Sequence, residues 1–322
     1  MKYIFGPVNS RRLGRSLGVD LFTDKICNLN CIYCEVGPTV RLTCDRGAYT
    51  PTDEILLELE RFFSRPGYKK DIDTVTITAS GEPTLHAGLG RILSFLRNQV
   101  DTRIALLTNG TTLDDETVRR EVSLADVVIP SLDAALPESF RRLDRPARCL
   151  DLEKVIEGLV TFSRQFAGQL WLEILFAEGI NDDDRDLQAL AEVIARMRLD
   201  RIQINTVARP PLESFARPLT KARLQEIGHF FQTRFADIPV DLLAQGAPTV
   251  DVAGDRQAAE PVSERITEII EMLRRRPCTA ADINKTFHLG GSEKVEQSLE
   301  PLVRSGQLRL RQYGDRKYYQ IQ

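Results

Sequence analysis

The 322 residues carry 43 Lys and Arg against 46 Asp and Glu, with 42% hydrophobic and 28% charged side chains and a formal charge of −3. This balance excludes wholesale disorder, the charge is too small to steer a nucleic acid or an acidic surface by itself, and the length predicts an α/β unit of roughly 200–250 residues plus a second of about 60. No run reaches the ~18 apolar residues of a membrane span, and the opening MKYIFGPVNSRRLGRS lacks the apolar core and cleavage site of a signal peptide, so a cytoplasmic location without membrane contact is expected.

From about residue 17 to 245, short β-branched runs alternate with segments of helical period, the pattern of βα units building a parallel sheet. Strands are predicted at 17–23, 73–79, 103–108, 126–133, 170–176 and 201–207, with a weaker one at 238–244. Six or so units are too few for a closed eight-unit barrel. Helices are predicted near 87–99, 112–121, 151–165, 184–197 and 219–234, and Thr50-Pro51-Thr52-Asp53 reads as an N-cap with proline at the first helical position. Chemistry in such folds gathers at the carboxyl ends of the strands, and each motif below sits at one.

Directly after the first predicted strand comes Cys27-Asn28-Leu29-Asn30-Cys31-Ile32-Tyr33-Cys34, a C-x3-C-x2-C run. In a reducing compartment, cysteines are expected as metal ligands or buried apolar residues rather than as disulfides. Three thiolates hold three irons of a four-iron cube and leave the fourth open to a ligand, whereas a structural zinc site requires four ligands. Cys44 is the candidate fourth zinc ligand, a thiol that takes part in the chemistry, or a bystander; Cys149 and Cys278 stand alone in the sequence. A second element, Ser80-Gly81-Glu82-Pro83, follows the strand at 73–79, and taken alone it also reads as a strand-to-helix turn.

The cysteine run, with Tyr33 as the aromatic residue before its last cysteine, resembles the signature of the radical S-adenosylmethionine (SAM) superfamily. The resemblance implies a [4Fe-4S] cluster on Cys27, Cys31 and Cys34, with SAM on the open iron. An electron then splits SAM into methionine and a 5′-deoxyadenosyl radical, which abstracts hydrogen from a substrate. It also implies a ferredoxin or flavodoxin as electron donor. Ser80, Gly81, Glu82 and Pro83 are similar to the family's GGEP element, whose backbone carbonyls hold the SAM ammonium. Asn109 and either Ser131 or Asp133, at the ends of the third and fourth predicted strands, match positions that bond the methionine and ribose parts of SAM. Asn109-Gly110 also reads as a turn, and Asp133 as a helix cap. Glu178-Gly179-Ile180-Asn181 is a loose match to the adenine-contacting pattern. Residues 10–20 with 27–37 resemble a subgroup related to wyosine-base synthases, which modify tRNA, without carrying over their substrate.

Among the remaining candidates, Glu173 lies mid-strand among apolar neighbours, so it needs a partner and faces either the barrel interior or solvent. Arg145, Arg148 and Arg209 receive an anionic substrate group or are solvated loop charges, and His86 takes a helix-start or surface role ahead of a catalytic one.

Residues 246–262 are small, polar and punctuated by Pro and Gly, and read as a linker between a core over 1–245 and a small α+β domain over 263–322. Three short helices and a hairpin turning at Tyr313-Gly314-Asp315 predict a winged-helix-like shape. The fold expected is therefore an incomplete (β/α)6 radical SAM barrel followed by that domain. Its eleven Lys and Arg against eight Asp and Glu make it mildly basic. The tail predicts a docking module for a macromolecular substrate, RNA or a peptide or protein. The alternative is a non-catalytic iron-sulfur or SAM-sensing regulator that binds DNA through the tail.

Overall fold

The structure, a computed structural model, describes residues 1–10, 12–65, 67–68, 72–243 and 262–321. Strands β1 (Ile4–Ser10) and β2 (Gly14–Asp20) form an antiparallel hairpin, and the two-residue strands β3 (Ile26–Cys27) and β4 (Arg41–Leu42) pair beside the cysteine loop. Then come α1 (Thr52–Phe63), β5 (Thr74–Thr78), α2 (Leu89–Gln99), β6 (Arg103–Thr108), α3 (Glu116–Val122) and β7 (Val127–Pro130). These are followed by α4 (Pro137–Leu143), α5 (Leu152–Gln165), β8 (Gln169–Phe176), α6 (Asp184–Ile194), β9 (Arg201–Thr206), α7 (Lys221–Arg234) and β10 (Val240–Leu242).

The main sheet runs β1-β2-β5-β6-β7-β8-β9-β10, and every pair but β1–β2 is parallel. It is the wall of an open, incomplete barrel. Each predicted strand is present. The extra strand β1 contains Phe5-Gly6-Pro7, which reads as a turn, and its place at the sheet edge is where a proline missing its N–H is tolerated. One helical expectation is corrected: α1 starts at Thr52, so Pro51 occupies the cap position and no side chain caps the helix. Side-chain caps do start α3, α5 and α6, where Asp115, Asp151 and Asp183 accept from backbone N–H groups of the first turn.

Alternation along each strand divides the sheet into two faces. Leu17, Val19, Val75, Ile77, Leu172 and Ile204 point outward into the main core beneath the helices. The inner face is mixed, with Ala105, Val127, Ile129 and Trp171 grouped near the floor and polar side chains above them.

Helices α8 (Val262–Arg275), α9 (Ala280–Phe287) and α10 (Ser292–Arg304) and the hairpin β11 (Leu308–Tyr313) and β12 (Arg316–Ile321) close the chain. Thr279 and Asp282 form a reciprocal capping box on α9. This region has its own core of Ile269, Met272, Leu273, Ile283, Val295 and Leu299, joined by Val8 and Phe5 of β1. Ile4 pairs with Val19 and belongs to the outer core, so Phe5, paired with Gly18, lies on the inner face. Its ring covers Gly18 so closely that a Cβ there would stand 2.1 Å from it. On the other side, Tyr313 and Tyr318 hydroxyls donate to the carbonyls of Val207 (3.2 Å) and Ala208 (3.0 Å) in the loop after β9. The C-terminal region thus reaches from the β1 edge of the sheet to the loop that follows β9. The expected linker, apart from Val262, lies outside the described residues.

Candidate cluster and cofactor site

Cys27, Cys31 and Cys34 are free thiols on one loop at the carboxyl end of the barrel. Short-range bonds shape it: Cys34 N–H donates to the Cys31 carbonyl (3.2 Å), and Leu29 N–H to Cys27 Sγ (3.4 Å). The loop is then held from outside, with Ile32 N–H on the Leu143 carbonyl (2.9 Å), Thr43 N–H on the Cys27 carbonyl (3.1 Å) and Ala147 N–H on the Asn28 carbonyl (2.8 Å).

The segments carrying Thr43 and Ala147 meet around the loop, and Cys44 and Cys149 form a disulfide with a Cα–Cα distance of 6.4 Å. While Cys278 is free and buried, the expectation that the spare cysteines remain unpaired is thereby corrected for Cys44 and Cys149. Their 105-residue separation hides a pairing that the folding of both segments onto the cysteine loop creates. It also removes Cys44 as a fourth zinc ligand. Among the described residues, no three His, Cys, Asp or Glu side chains gather as a single-ion site requires. Three free thiols on one loop, with the fourth free cysteine, Cys278, buried in the core of the C-terminal region, suit a cube with one open iron.

Burial, reinforced by the charge of Glu82, pushes the Cys27 thiol up to about 12, and burial next to Asp144 raises Cys31 well above its ordinary value. Without a cation these thiols stay protonated, and iron supplies the charge that favours the thiolate.

Ser80, Gly81, Glu82 and Pro83 form the turn after β5. Gly81 has φ +129°, and a Cβ on it would fall 1.7 Å from the Ile26 carbonyl oxygen, so only glycine fits the cradle against the strand leading into Cys27. Ile26 N–H donates to the Ser80 carbonyl (3.0 Å), and Glu82 N–H to the Ile26 carbonyl (2.9 Å). The Glu82 carboxylate, 1% exposed, accepts from Thr84 and Thr108 hydroxyls and from the Thr84 and Asn109 N–H groups. Burial raises its pKa against those bonds. The Glu82 side chain therefore joins the ends of β5 and β6, which leaves the turn's backbone as the part that can face a cofactor. Pro83 opens the short 3-10 turn that follows.

Asn109 Nδ2 donates to Asn28 Oδ1 (2.8 Å) and lies 3.6 Å from Cys27 Sγ, placing it beside the cysteine loop. Ser131 is half-buried next to Glu173 in a parallel bridge. Asp133 caps no helix. It accepts from the Tyr33 hydroxyl and from Leu175 N–H (2.8 Å), so Tyr33 is anchored by its oxygen. Burial raises the Asp133 pKa. Asn181, fully buried, donates to the carbonyls of Asp133 and Leu175 (both 2.8 Å) and fixes this corner.

Glu173 faces the interior, where it pairs with Arg12 and accepts from Asn205 Nδ2 (3.1 Å); Arg12 also donates to Gln203 Oε1 (3.0 Å). Arg145 and Arg209 already meet carboxylates, Glu213 at 2.5 Å and Glu35 at 2.8 Å, and Arg148 is exposed. His86 is fully buried: Nε2 donates to the Thr50 carbonyl (2.9 Å) and Nδ1 accepts from Gly88 N–H (3.0 Å). Of the two bland roles expected for it, helix start fits and surface does not.

Sequence reasoning missed Asn28, Asp20, Arg12 and Asp144, whose carboxylate accepts from Cys31 Sγ (3.4 Å). Asn28 sits inside the motif and Arg12 in the N-terminal basic run; Asp144 gives no local signal.

Residues 23–191 match the sequence pattern of the Radical SAM superfamily. The chain is 31% identical over 327 residues to a UPF0026 protein of Helicobacter pylori (98% of this chain, 96% of that one), and 33% identical over 302 residues to a UPF0026 protein of Methanocaldococcus jannaschii (92% and 94%). It is also 33% identical over 310 residues to a protein named GTPase Obg in Brachyspira hyodysenteriae, covering 96% of this chain but only 43% of that one. Among solved structures, a radical SAM methyltransferase from Sphaerobacter thermophilus (18% identity, 70% of this chain and 66% of that one, TM-score 0.54) shares the fold. So does TYW1 with a lysine-pyruvate adduct (19%, 71% and 76%, TM-score 0.51). No described helix is long and apolar enough to cross a membrane.

Proposed function

The chain belongs to the radical SAM superfamily, within its UPF0026 family, and on that premise we propose that it holds one [4Fe-4S] cluster on Cys27, Cys31 and Cys34 and cleaves SAM reductively. Together these groups supply a 5′-deoxyadenosyl radical that takes hydrogen from a substrate. The observation that carries the reading is the set of three free thiols on one loop, the first of them directly after Ile26, which bridges to Gly81, with Cys44 tied to Cys149 and withdrawn from ligation.

The chain's own groups then have definite tasks. Ser80 and Gly81 present backbone carbonyls to the SAM ammonium. Asn109 and Ser131 offer hydrogen bonds to its methionine and ribose parts. Tyr33 and Asp133 brace the cysteine loop against the end of β8 through their mutual hydrogen bond. Below them the polar group of Arg12, Glu173, Gln203 and Asn205 favours a substrate that brings hydrogen-bonding functions into the barrel. A ferredoxin or flavodoxin is the fitting electron donor.

The C-terminal region, read as winged-helix-like, supports a macromolecular substrate, RNA or a peptide or protein. Exposed Arg309, Arg316 and Lys317 lie on its hairpin. The exposed side of α10 carries Glu293, Glu296 and Glu300 against Lys294 and Arg304, a poor surface for reading DNA, which weakens the regulator alternative.

The test is anaerobic: reconstitute with iron and sulfide, reduce, add SAM and quantify 5′-deoxyadenosine against a Cys27/Cys31/Cys34→Ala variant. The wild type is expected to form it and the variant to bind no cluster. A wild type that holds cluster and SAM without turnover would favour the regulator.

A further inference from the structure

We infer that the C-terminal region positions the SAM-binding turn of the barrel, through an Arg275–Asp20–Ser80 relay; the inference rests on the radical SAM reading above. Asp20 closes β2 and is 2% exposed. One of its oxygens accepts from Ser80 N–H (2.7 Å) and Phe22 N–H (3.2 Å), and the other from the Ser80 hydroxyl (2.8 Å). The carboxylate therefore grips both ends of one residue, Ser80, whose carbonyl is bonded in turn to the strand entering Cys27.

A buried carboxylate held only by neutral donors is costly, and the cation that meets this one comes from another part of the chain. Arg275, in the last turn of α8, sets Nε 3.2 Å from Asp20 Oδ2. The contact is an ion pair without hydrogen-bond alignment, since that Nε has no hydrogen-bond partner. Other bonds fix the guanidinium: it donates to the Lys2 carbonyl (2.7 Å), the Glu271 carbonyl (2.8 Å) and the Glu271 carboxylate (3.4 Å), and it lies 4.8 Å from the centre of the Phe5 ring. Arg275 is thus clamped by α8 and by β1 together. A cleft of about 420 Å³ opens at this junction, bordered by Lys2, Asp20, Ser80, Arg274 and Arg275.

Displacing α8 removes the positive charge from Asp20, and Asp20 is what sets Ser80. Arg275 and Asp20 are positioning residues: neither is placed to touch SAM, and both act through the turn that does.

The experiment is SAM binding to the anaerobically reconstituted full chain, by equilibrium dialysis, together with the electron paramagnetic resonance spectrum of the reduced cluster with and without SAM. Arg275→Met, Asp20→Asn and Ser80→Ala are each expected to raise the SAM Kd about tenfold. They should also diminish the spectral change SAM produces, while iron content and the SAM-free spectrum stay as in the wild type. The Asp20→Asn/Arg275→Met pair should be no worse than either alone, because both act along one path. Arg275→Lys should recover part of the affinity, and Arg274→Met, one residue away and exposed, should change nothing. Ser80→Ala removes a single hydroxyl and Arg275→Lys keeps the charge, so these two decide the matter if the bolder variants fail to fold. Equal SAM binding by the wild type, Ser80→Ala and Arg275→Lys, with unchanged spectra, would overturn this relay alone. A wild type that takes up iron but no SAM would overturn the family reading and the relay with it.

Discussion

Two sets of carboxylates, in two regions of this protein, contrast. Around the cysteine loop, Glu82, Asp133 and Asp144 are almost fully buried and are met by neutral donors, the hydroxyls of Thr84, Thr108 and Tyr33, the Cys31 thiol and backbone N–H groups. Lower in the barrel and around its edges, carboxylates face arginine: Glu173 with Arg12, Asp241 with Arg201, Asp20 with Arg275. In the second region the charges are balanced within the chain. In the first, burial drives the pKa values of all three carboxylates upward, so a cationic ligand gains by entering. Iron and the sulfonium and ammonium groups of SAM are cations of the kind that region suits.

The largest effect is expected from removing a cation from the balanced region. Arg12→Met removes the guanidinium that meets both Glu173 and Gln203 and should cost about 2 kcal/mol in urea unfolding. Arg12→Lys, which keeps the positive charge, should lose less. A smaller effect is expected in the other region: Asp133→Asn removes charge but keeps one acceptor for Tyr33 or Leu175. It should cost about 1 kcal/mol of stability while weakening SAM binding about tenfold. Equal losses of stability at Asp133 and Arg12 would erase the distinction.

The smallest effect tests a group kept neutral beside the site. Burial lowers the pKa of His86 below the ordinary 6.5. The unfolded chain then binds the extra proton first, so this residue's contribution is present above pH 6.5 and is lost as pH falls below it. His86→Gln, which can keep both hydrogen bonds, should flatten the fall in unfolding free energy between pH 6.5 and 5 by less than about 1 kcal/mol.

What the sequence made legible was what lies close together in it. The cysteine run, the Ser80–Pro83 turn and the strands of the barrel declare themselves by spacing and period. Edge strand β1 stayed hidden because Gly6-Pro7 imitates a turn, and α4 because its seven residues have no side-chain cap to mark their start, whereas the equally short α3 has Asp115. The contacts that complete the site were invisible for a different reason: Cys44 with Cys149, Arg12 with Glu173 and Asp20 with Arg275 are joined only by tertiary folding. Glu173 shows the boundary well. Its need for a partner followed from its apolar neighbours, but the identity of that partner, 161 residues away, did not.

The C-terminal region packs on Phe5 at one end and bonds the carbonyls of Val207 and Ala208 at the other, so it ties β1 at the sheet edge to the loop after β9. Two strands of the sheet that share no pairing are thereby held by one small region of the chain.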